Sequence, residues 1–214
     1  MWRSLAVAAI TLGAACGRHA PGEPFDPGAI KISTDRVVKT DTVGDGEWER
    51  QATFVLVDAD NVSAGELLVT LGGALTDATG AEVGALRPES LRIPAGGRRT
   101  FALVDAHDAA RPTATGATIV VRGAVPPRWQ PDAHLADGHV FDDHGKVMVA
   151  ASLVNDADRA GRVIVFAGFH DADGRPMQRQ FLLAEIGAHI TQVVRFVGPE
   201  GSKSGYVYLG DASY

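Results

Sequence analysis

The chain has 214 residues, of which 45% are hydrophobic and 21% charged, so it has enough apolar material for a packed core and is not disordered throughout. Its net charge of −6 argues against a nucleic-acid partner, which would require a basic surface. A single cysteine excludes internal disulfides and a cysteine-based zinc site.

The first 15 residues have the order of charge and hydrophobicity found in secretory signals. Arg3 precedes an apolar run from Leu5 to Leu12, and small residues follow. The apolar run is shorter than the roughly 20 residues that a membrane-spanning helix needs. Residues 1–15 are therefore predicted to be a signal peptide.

The only cysteine stands where such a peptide would be cleaved. The segment Leu12-Gly13-Ala14-Ala15-Cys16 resembles the lipobox of bacterial lipoproteins, although its leucine lies four residues before the cysteine instead of the usual three. That resemblance implies a mature chain that begins at a lipidated Cys16 and is held in the membrane by its acyl chains. Gly17, by resemblance to Gram-negative lipoproteins, implies the periplasmic face of the outer membrane. The alternative is an ordinary signal peptide cut nearby.

Residues 16–29 are predicted to be a tether. From Arg18 to Ala29 the sequence reads RHAPGEPFDPGA, which is rich in Pro and Gly and has no hydrophobic period. Such a composition is typical of an extended linker that lifts a folded region off the bilayer.

The rest of the chain contains one pattern twice. Residues 54–82 and 149–176 each contain an apolar run, a polar Asn/Asp turn, a second apolar run and an Asp-x-x-Gly turn. The glycines of the last turn, Gly80 and Gly174, are 94 residues apart. Apolar residues alternate along each second run, which predicts a strand with one face in a core. The predicted inward residues are Val69, Leu71, Gly73 and Leu75 in the first copy and Val163, Val165, Ala167 and Phe169 in the second.

These features predict an all-β fold of two tandem immunoglobulin-like antiparallel β-sandwiches, residues 30–124 and 125–214, with a Pro-Pro linker at the junction. The only helical signal is the Ala-rich segment 105–114, which predicts a single turn at most. The pattern of strand, Asn/Asp turn, strand and Asp-x-x-Gly resembles the FxLYD-type sandwich modules of bacterial exported proteins. That resemblance implies the fold more than a function.

Three histidines mark a candidate metal site. His134, His139 and His144 lie within a dozen residues that also contain several Asp, and imidazole and carboxylate groups are ligands of zinc and copper. Their five-residue spacing fits neither one helical face nor one strand face, so the segment would have to fold around the ion. The alternative is a solvated polar segment.

Other candidate chemistries have incomplete patterns. The alternating Asp residues that begin at Asp58, Asp156 and Asp171 lack the closing Glu of a calcium loop and are interpreted as turns. The glycine-rich segment 198–205 lacks the Gly-Lys-Ser order of a phosphate loop and is interpreted as a hairpin loop. No Gly-x-Ser-x-Gly motif is present, and no catalytic activity or cofactor is predicted.

A candidate partner surface follows from the strand register. If Val163, Val165 and Phe169 face the core, Ile164 and Phe166 face outward, and an outward aromatic residue is typical of a contact surface. The alternative is that the other unit or a loop covers this face. The C-terminal tyrosines would either extend the same surface or pack at an edge strand; they are Tyr206, Tyr208 and Tyr214.

The sequence therefore predicts a lipid-anchored cell-envelope protein that acts as a binding or scaffolding module without catalysis. Its expected partners are the membrane and another envelope protein. The alternative is a small periplasmic metal-binding protein that uses residues 134–144.

Overall fold

A computed structural model describes residues 25–44, 47 and 49–213 of the chain, with side chains to residue 210. The signal peptide, the lipobox and Cys16 lie outside the described residues. Within the described part, the chain forms antiparallel strands, a short 3-10 helix at Pro27–Ala29 and no α-helix. No helix in these residues is long and apolar enough to cross a membrane. The strands are β1 (Ile30–Val43), β2 (Arg50–Asn61), β3 (Leu67–Thr76), β4 (Glu82–Ile93), β5 (Arg98–Val104), β6 (Gly116–Val125), β7 (Ala133–Asp143), β8 (Lys146–Asn155), β9 (Gly161–His170), β10 (Pro176–Ile186), β11 (Ile190–Val197) and β12 (Ser204–Ser213).

The strands form four three-stranded sheets whose order repeats after six strands. The first two sheets have the orders β1-β2-β5 and β4-β3-β6, and the other two have the orders β7-β8-β11 and β10-β9-β12. Each pair of sheets encloses its own apolar core. The prediction of an all-β fold with two antiparallel sandwiches is confirmed.

The predicted strand register is confirmed at both central strands. Val69, Leu71 and Leu75 of β3 are fully buried in the first core. Gly73, predicted to face inward with them, is half-buried. Their counterparts in β9 are fully buried in the second core; they are Val163, Val165, Ala167 and Phe169. The residues between them on β9 therefore point away from their own sandwich, because side chains alternate along a strand.

A buried asparagine holds the same loop in both sandwiches. The side-chain amide of Asn61 donates to the carbonyl oxygens of Gly65 at 2.7 Å and Ile93 at 2.9 Å. The amide of Asn155, 94 residues later, donates to those of Arg159 at 2.8 Å and Gly187 at 2.9 Å. Each asparagine lies at the end of a strand and ties it to two other segments, so the sequence repeat is also a repeat of hydrogen bonds.

The segment 105–114 contains no helical turn. The buried carboxylate of Asp105 organises it instead, since it accepts from the backbone N–H groups of His107 and Ala109 and from the Arg111 guanidinium. Burial raises the pKa of Asp105, but these hydrogen bonds outweigh that effect and leave the pKa below its usual range.

The segment 198–205 is not a hairpin loop. It joins β11 to β12, and these strands belong to different sheets of the second sandwich. Ser202 closes the turn, because both its backbone N–H and its hydroxyl donate to the carbonyl oxygen of Pro199. A hairpin and a sheet-to-sheet crossover both call for glycine, so composition alone did not separate them.

Both ends of the first sandwich are fixed by contacts that the sequence did not indicate. Phe25 packs against the first core, and Pro27–Ala29 form one turn of 3-10 helix, so the predicted tether joins the sandwich from Phe25 onward. In the linker before β7, the Arg92 guanidinium lies 4.7 Å from the centre of the Trp129 ring. The linker is therefore docked on the first sandwich.

Candidate functional site

One outer face of the first sandwich is covered by the second. On β2 and β5, Leu56 is paired with Ala102 and Asp58 with Thr100, which places these four side chains on one face. That face points away from the first core, because Val57 between them is buried inside it. Leu56, Asp58 and Thr100 are nevertheless at most 1% exposed.

The covering surface is the outer face of the sheet β10-β9-β12. Gly168 of β9 is paired with Tyr206 of β12 and with Arg179 of β10, and Phe166 is paired with Tyr208. All five therefore lie on one face. A Cβ atom added to Gly168 would lie 2.7 Å from the Thr100 hydroxyl oxygen, so the two sheets approach closely at this glycine.

A buried polar network joins the two sandwiches. Asp58 Oδ2 lies 2.8 Å from His170 Nε2, and the Thr100 hydroxyl donates to Asp58 Oδ1 at 2.6 Å. Thr100 Oγ1 also lies 2.8 Å from the hydroxyl of Tyr206, whose ring stacks on His170. A carboxylate only accepts hydrogen bonds, so the Nε2 atom of His170 carries the proton.

This network is not arranged for nucleophilic catalysis. A hydroxyl nucleophile must give its proton to the histidine, whereas the Thr100 hydroxyl donates to Asp58 and His170 faces the other oxygen of the same carboxylate. These hydrogen bonds satisfy the buried polar atoms and hold together the interface between the two sandwiches, which we call the joint.

An aromatic and cationic cluster lies beside the network. Tyr208 is 1% exposed, its ring lies 5.5 Å from that of Phe166, and its hydroxyl donates to the Thr100 carbonyl oxygen. The Arg179 guanidinium lies 4.4 Å from the centre of the Phe166 ring and 2.6 Å from Glu89. Glu89 of β4 also accepts from the backbone N–H of Ala102, so its carboxylate links the edge of β5 to Arg179 of the second sandwich.

Burial changes the acidity of both interface tyrosines. It raises the pKa of Tyr206 far above the usual value, and the negative charge of Asp58 raises it further. Burial also raises the pKa of Tyr208 strongly, and the nearby arginines Arg179 and Arg99 only partly offset this. Both buried phenols therefore hold their protons to higher pH than a solvent-exposed tyrosine does.

Beyond this contact, the sandwiches diverge and leave a cleft of about 420 Å³. Its floor is the rest of the outer face of β2 and β5, and the opposite wall is the start of β10 with its cation Arg179. This volume lies in the range of small-molecule sites, which often lie between domains. The apolar lining consists of Val43, Phe54, Leu56, Ala102, Val104, Met177, Phe181 and Pro199.

Lys39 is the second cation of the cleft. It is half-buried on β1 opposite Phe54, and its ammonium donates to the carbonyl oxygen of Met177 in the second sandwich. Among the described residues, no carboxylate lies within 4.0 Å of this ammonium. Asp41, two residues along the strand, lies at the exposed rim.

The two residues of the predicted partner surface have different surroundings in the structure. Phe166 packs against the first core, so the first sandwich supplies the cover that the sequence left open. Ile164 is half-buried on the same strand and is paired with Leu183 of β10, which is 50% exposed. Of the tyrosines, Tyr206 and Tyr208 pack with Phe166; Tyr214 lies outside the described residues.

The three histidines of the candidate metal site occupy separate positions along β7 and its turn. His134 lies 3.8 Å from Asp156, His139 stacks on Phe141, and His144 is in the turn after β7, with a positive φ. In the described part of the chain, no three His, Cys, Asp or Glu side chains are grouped as a metal site would need.

Neither the cleft nor the polar network was predicted from the sequence. One signal was present, since Phe54-Val55-Leu56-Val57 is a continuous apolar run, which is typical of a strand buried on both faces. The interpretation of Asp58 as a turn residue is wrong, because Asp58 follows that run inside β2 and is buried. Comparison with known proteins adds no assignment, because no protein-family model and no curated protein matches the chain.

Proposed function

We propose that this chain is a lipid-anchored cell-envelope protein that binds a ligand in the cleft between its two sandwiches and catalyses no reaction. The observation that carries the binding role is the cleft. It has an apolar floor, two cations and a volume of about 420 Å³, and a locked joint holds its walls in place. A preformed site of this kind binds without the cost of ordering its walls.

The anchoring half of the proposal rests on the leader. Residues 1–15 have signal-peptide order, and Leu12 to Cys16 resemble a lipobox. We place the protein at the periplasmic face of the outer membrane of a Gram-negative bacterium on the residue after the cysteine, Gly17. Cells fed a labelled fatty acid should label the native chain and leave Cys16→Ser unlabelled. Equal labelling of both would remove the anchor from the proposal.

A site-specific crosslinker tests the binding half. Phe181 lines the cleft and is 59% exposed, so a photoreactive residue there would face whatever occupies the site. Val120 on β6, outside the cleft lining and 44% exposed, is the matched control. In intact envelopes we expect a discrete adduct from position 181 and none from position 120. The same adduct from both positions, or none from either, would contradict a binding role for the cleft.

A further inference from the structure

We propose that the cleft takes a small amphiphilic anion, with its apolar body on the floor made by β2 and β5 and its anionic head at Lys39. This inference rests on the proposed binding role and names the chemical class of the ligand.

The apolar half follows from the register of the sheet β1-β2-β5. Phe54 lies between Lys39 of β1 and Val104 of β5, and Leu56 lies between Val37 and Ala102. These side chains cover the outer face of the sheet without a break, and the same face is already buried by the second sandwich at its Asp58 end. An apolar face that continues from a buried interface into an open cleft favours an apolar occupant.

The charged half follows from the pairing of the cations. Arg179 is occupied, because it binds Glu89 and stacks on Phe166. Lys39 has three N–H donors, and its contact with Met177 is to a neutral carbonyl oxygen. Lys39 is half-buried beside an apolar floor, and among the described residues no carboxylate lies within 4.0 Å of its ammonium, since Asp41 lies at the exposed rim. Such an ammonium attracts an anion more strongly than it would in water.

Charge also decides between occupants. The chain as a whole carries −6, so an anionic ligand is repelled elsewhere and is favoured only where a cation is exposed at an apolar site. A purely apolar ligand would displace water from the Lys39 ammonium and leave it only the neutral carbonyl oxygen of Met177 as a partner. An anion with an apolar tail satisfies both parts of the lining.

The test uses dodecanoate, below the concentration at which it forms micelles, and the full chain carrying Cys16→Ser. Calorimetry should show binding that saturates at one site. Affinity should rise about fourfold for each methylene added from octanoate to dodecanoate, as expected for burial of a methylene. Dodecanol, which lacks the charge, should bind at least tenfold more weakly than dodecanoate.

Two variants and two controls locate the site. Lys39→Gln should weaken dodecanoate at least tenfold and leave dodecanol unchanged, whereas Lys31→Gln, a lysine exposed on the same strand, should change neither. Val104→Trp, which fills the cleft, should abolish binding of both ligands, whereas Val120→Trp should not. Melting curves of each variant show that it is folded.

The outcomes separate this inference from the binding role itself. If dodecanoate binds and Lys39→Gln binds it equally well, the head position is overturned. If neither dodecanoate nor dodecanol binds while position 181 still forms its adduct in envelopes, the ligand class is wrong and the binding role stands. If the adduct is also absent, both are wrong.

Discussion

At the scale of single residues, a few buried polar and small side chains fix the positions of whole loops. Asn61 and Asn155 are less than 2% exposed and hold two carbonyl oxygens each, at spacings of four and 32 residues in both sandwiches. They are the only two asparagines of the chain. Their positions were visible in the repeat, but not their role, because an Asn before a turn is also typical of an exposed loop.

Asn61→Ala and Asn155→Ala should destabilise the chain by similar amounts. Each change leaves two carbonyl oxygens without their donor, which costs about 1–3 kcal/mol in the free energy of unfolding. Urea unfolding of both variants measures the loss. Asp156→Ala, at a 78% exposed side chain next to Asn155, is the control and should change stability by less than about 0.5 kcal/mol. A neutral effect of both asparagine changes would mean that water replaces the amides.

Gly168→Ala should weaken the joint between the sandwiches. Its new methyl group would lie 2.7 Å from the Thr100 hydroxyl oxygen, which is itself held by Asp58 and Tyr206, so the sheets must separate. Overpacking of this kind costs about 1–3 kcal/mol. Gly138→Ala is the matched control, because no heavy atom lies within 4 Å of the added methyl group.

A double-mutant cycle tests the contact directly. Combining Gly168→Ala with Thr100→Ala should cost less than the sum of the two single changes, because the second removes the atom that the first meets. Strictly additive losses in thermal unfolding would place the methyl group elsewhere.

At the scale of elements, β9 shows what strand period does and does not predict. Alternation placed Val163, Val165 and Phe169 inside the second core, and the structure agrees. It also placed Phe166 on the outer face of its own sandwich, and the structure buries that face against the first sandwich. The sequence carries no period that links β9 to Asp58, 112 residues before His170, so the covered face could not be derived from either strand alone.

Phe166→Ala should therefore destabilise the protein. The ring packs on Tyr208 and Arg179, and we expect a loss of about 3 kcal/mol, at the low end of the range for buried phenylalanine because the ring is only half-buried. The control is Phe181 of β10, which is paired with Phe166 and is 59% exposed. Phe181→Ala should cost less than about 0.5 kcal/mol. Chemical unfolding of the two variants decides. Equal stability would show that the Phe166 ring makes no net contribution to the joint.

At the scale of the whole molecule, the joint makes stability depend on alkaline pH. Burial first, and Asp58 second, raise the pKa of Tyr206, while burial raises that of Tyr208. An unfolded tyrosine ionises near pH 10. Below that pH both states hold the protons and stability is flat; above it only the unfolded chain releases them, so stability falls as pH rises.

The free energy of unfolding should consequently be constant from pH 8 to about pH 10 and decrease at higher pH. The double variant Tyr206→Phe and Tyr208→Phe removes both phenols and should show a shallower decrease. Urea midpoints from pH 8 to 11 provide the comparison. Parallel curves for the two proteins would assign the alkaline loss to other groups.

The two sandwiches contact each other through different faces, and this bears on whether further copies of the unit could be added. The first offers its β2 and β5 face, and the second contributes the face of β9 and β12, so the contact does not close on itself as a two-fold contact would. An open contact of this type could add a third unit and then a fourth, as in a filament. The corresponding outer face of the second sandwich does not repeat the polar half of this contact. Where Asp58 and Thr100 pair in the first sandwich, the second pairs Ser152 with Val193, so a further copy's His170 would find no carboxylate.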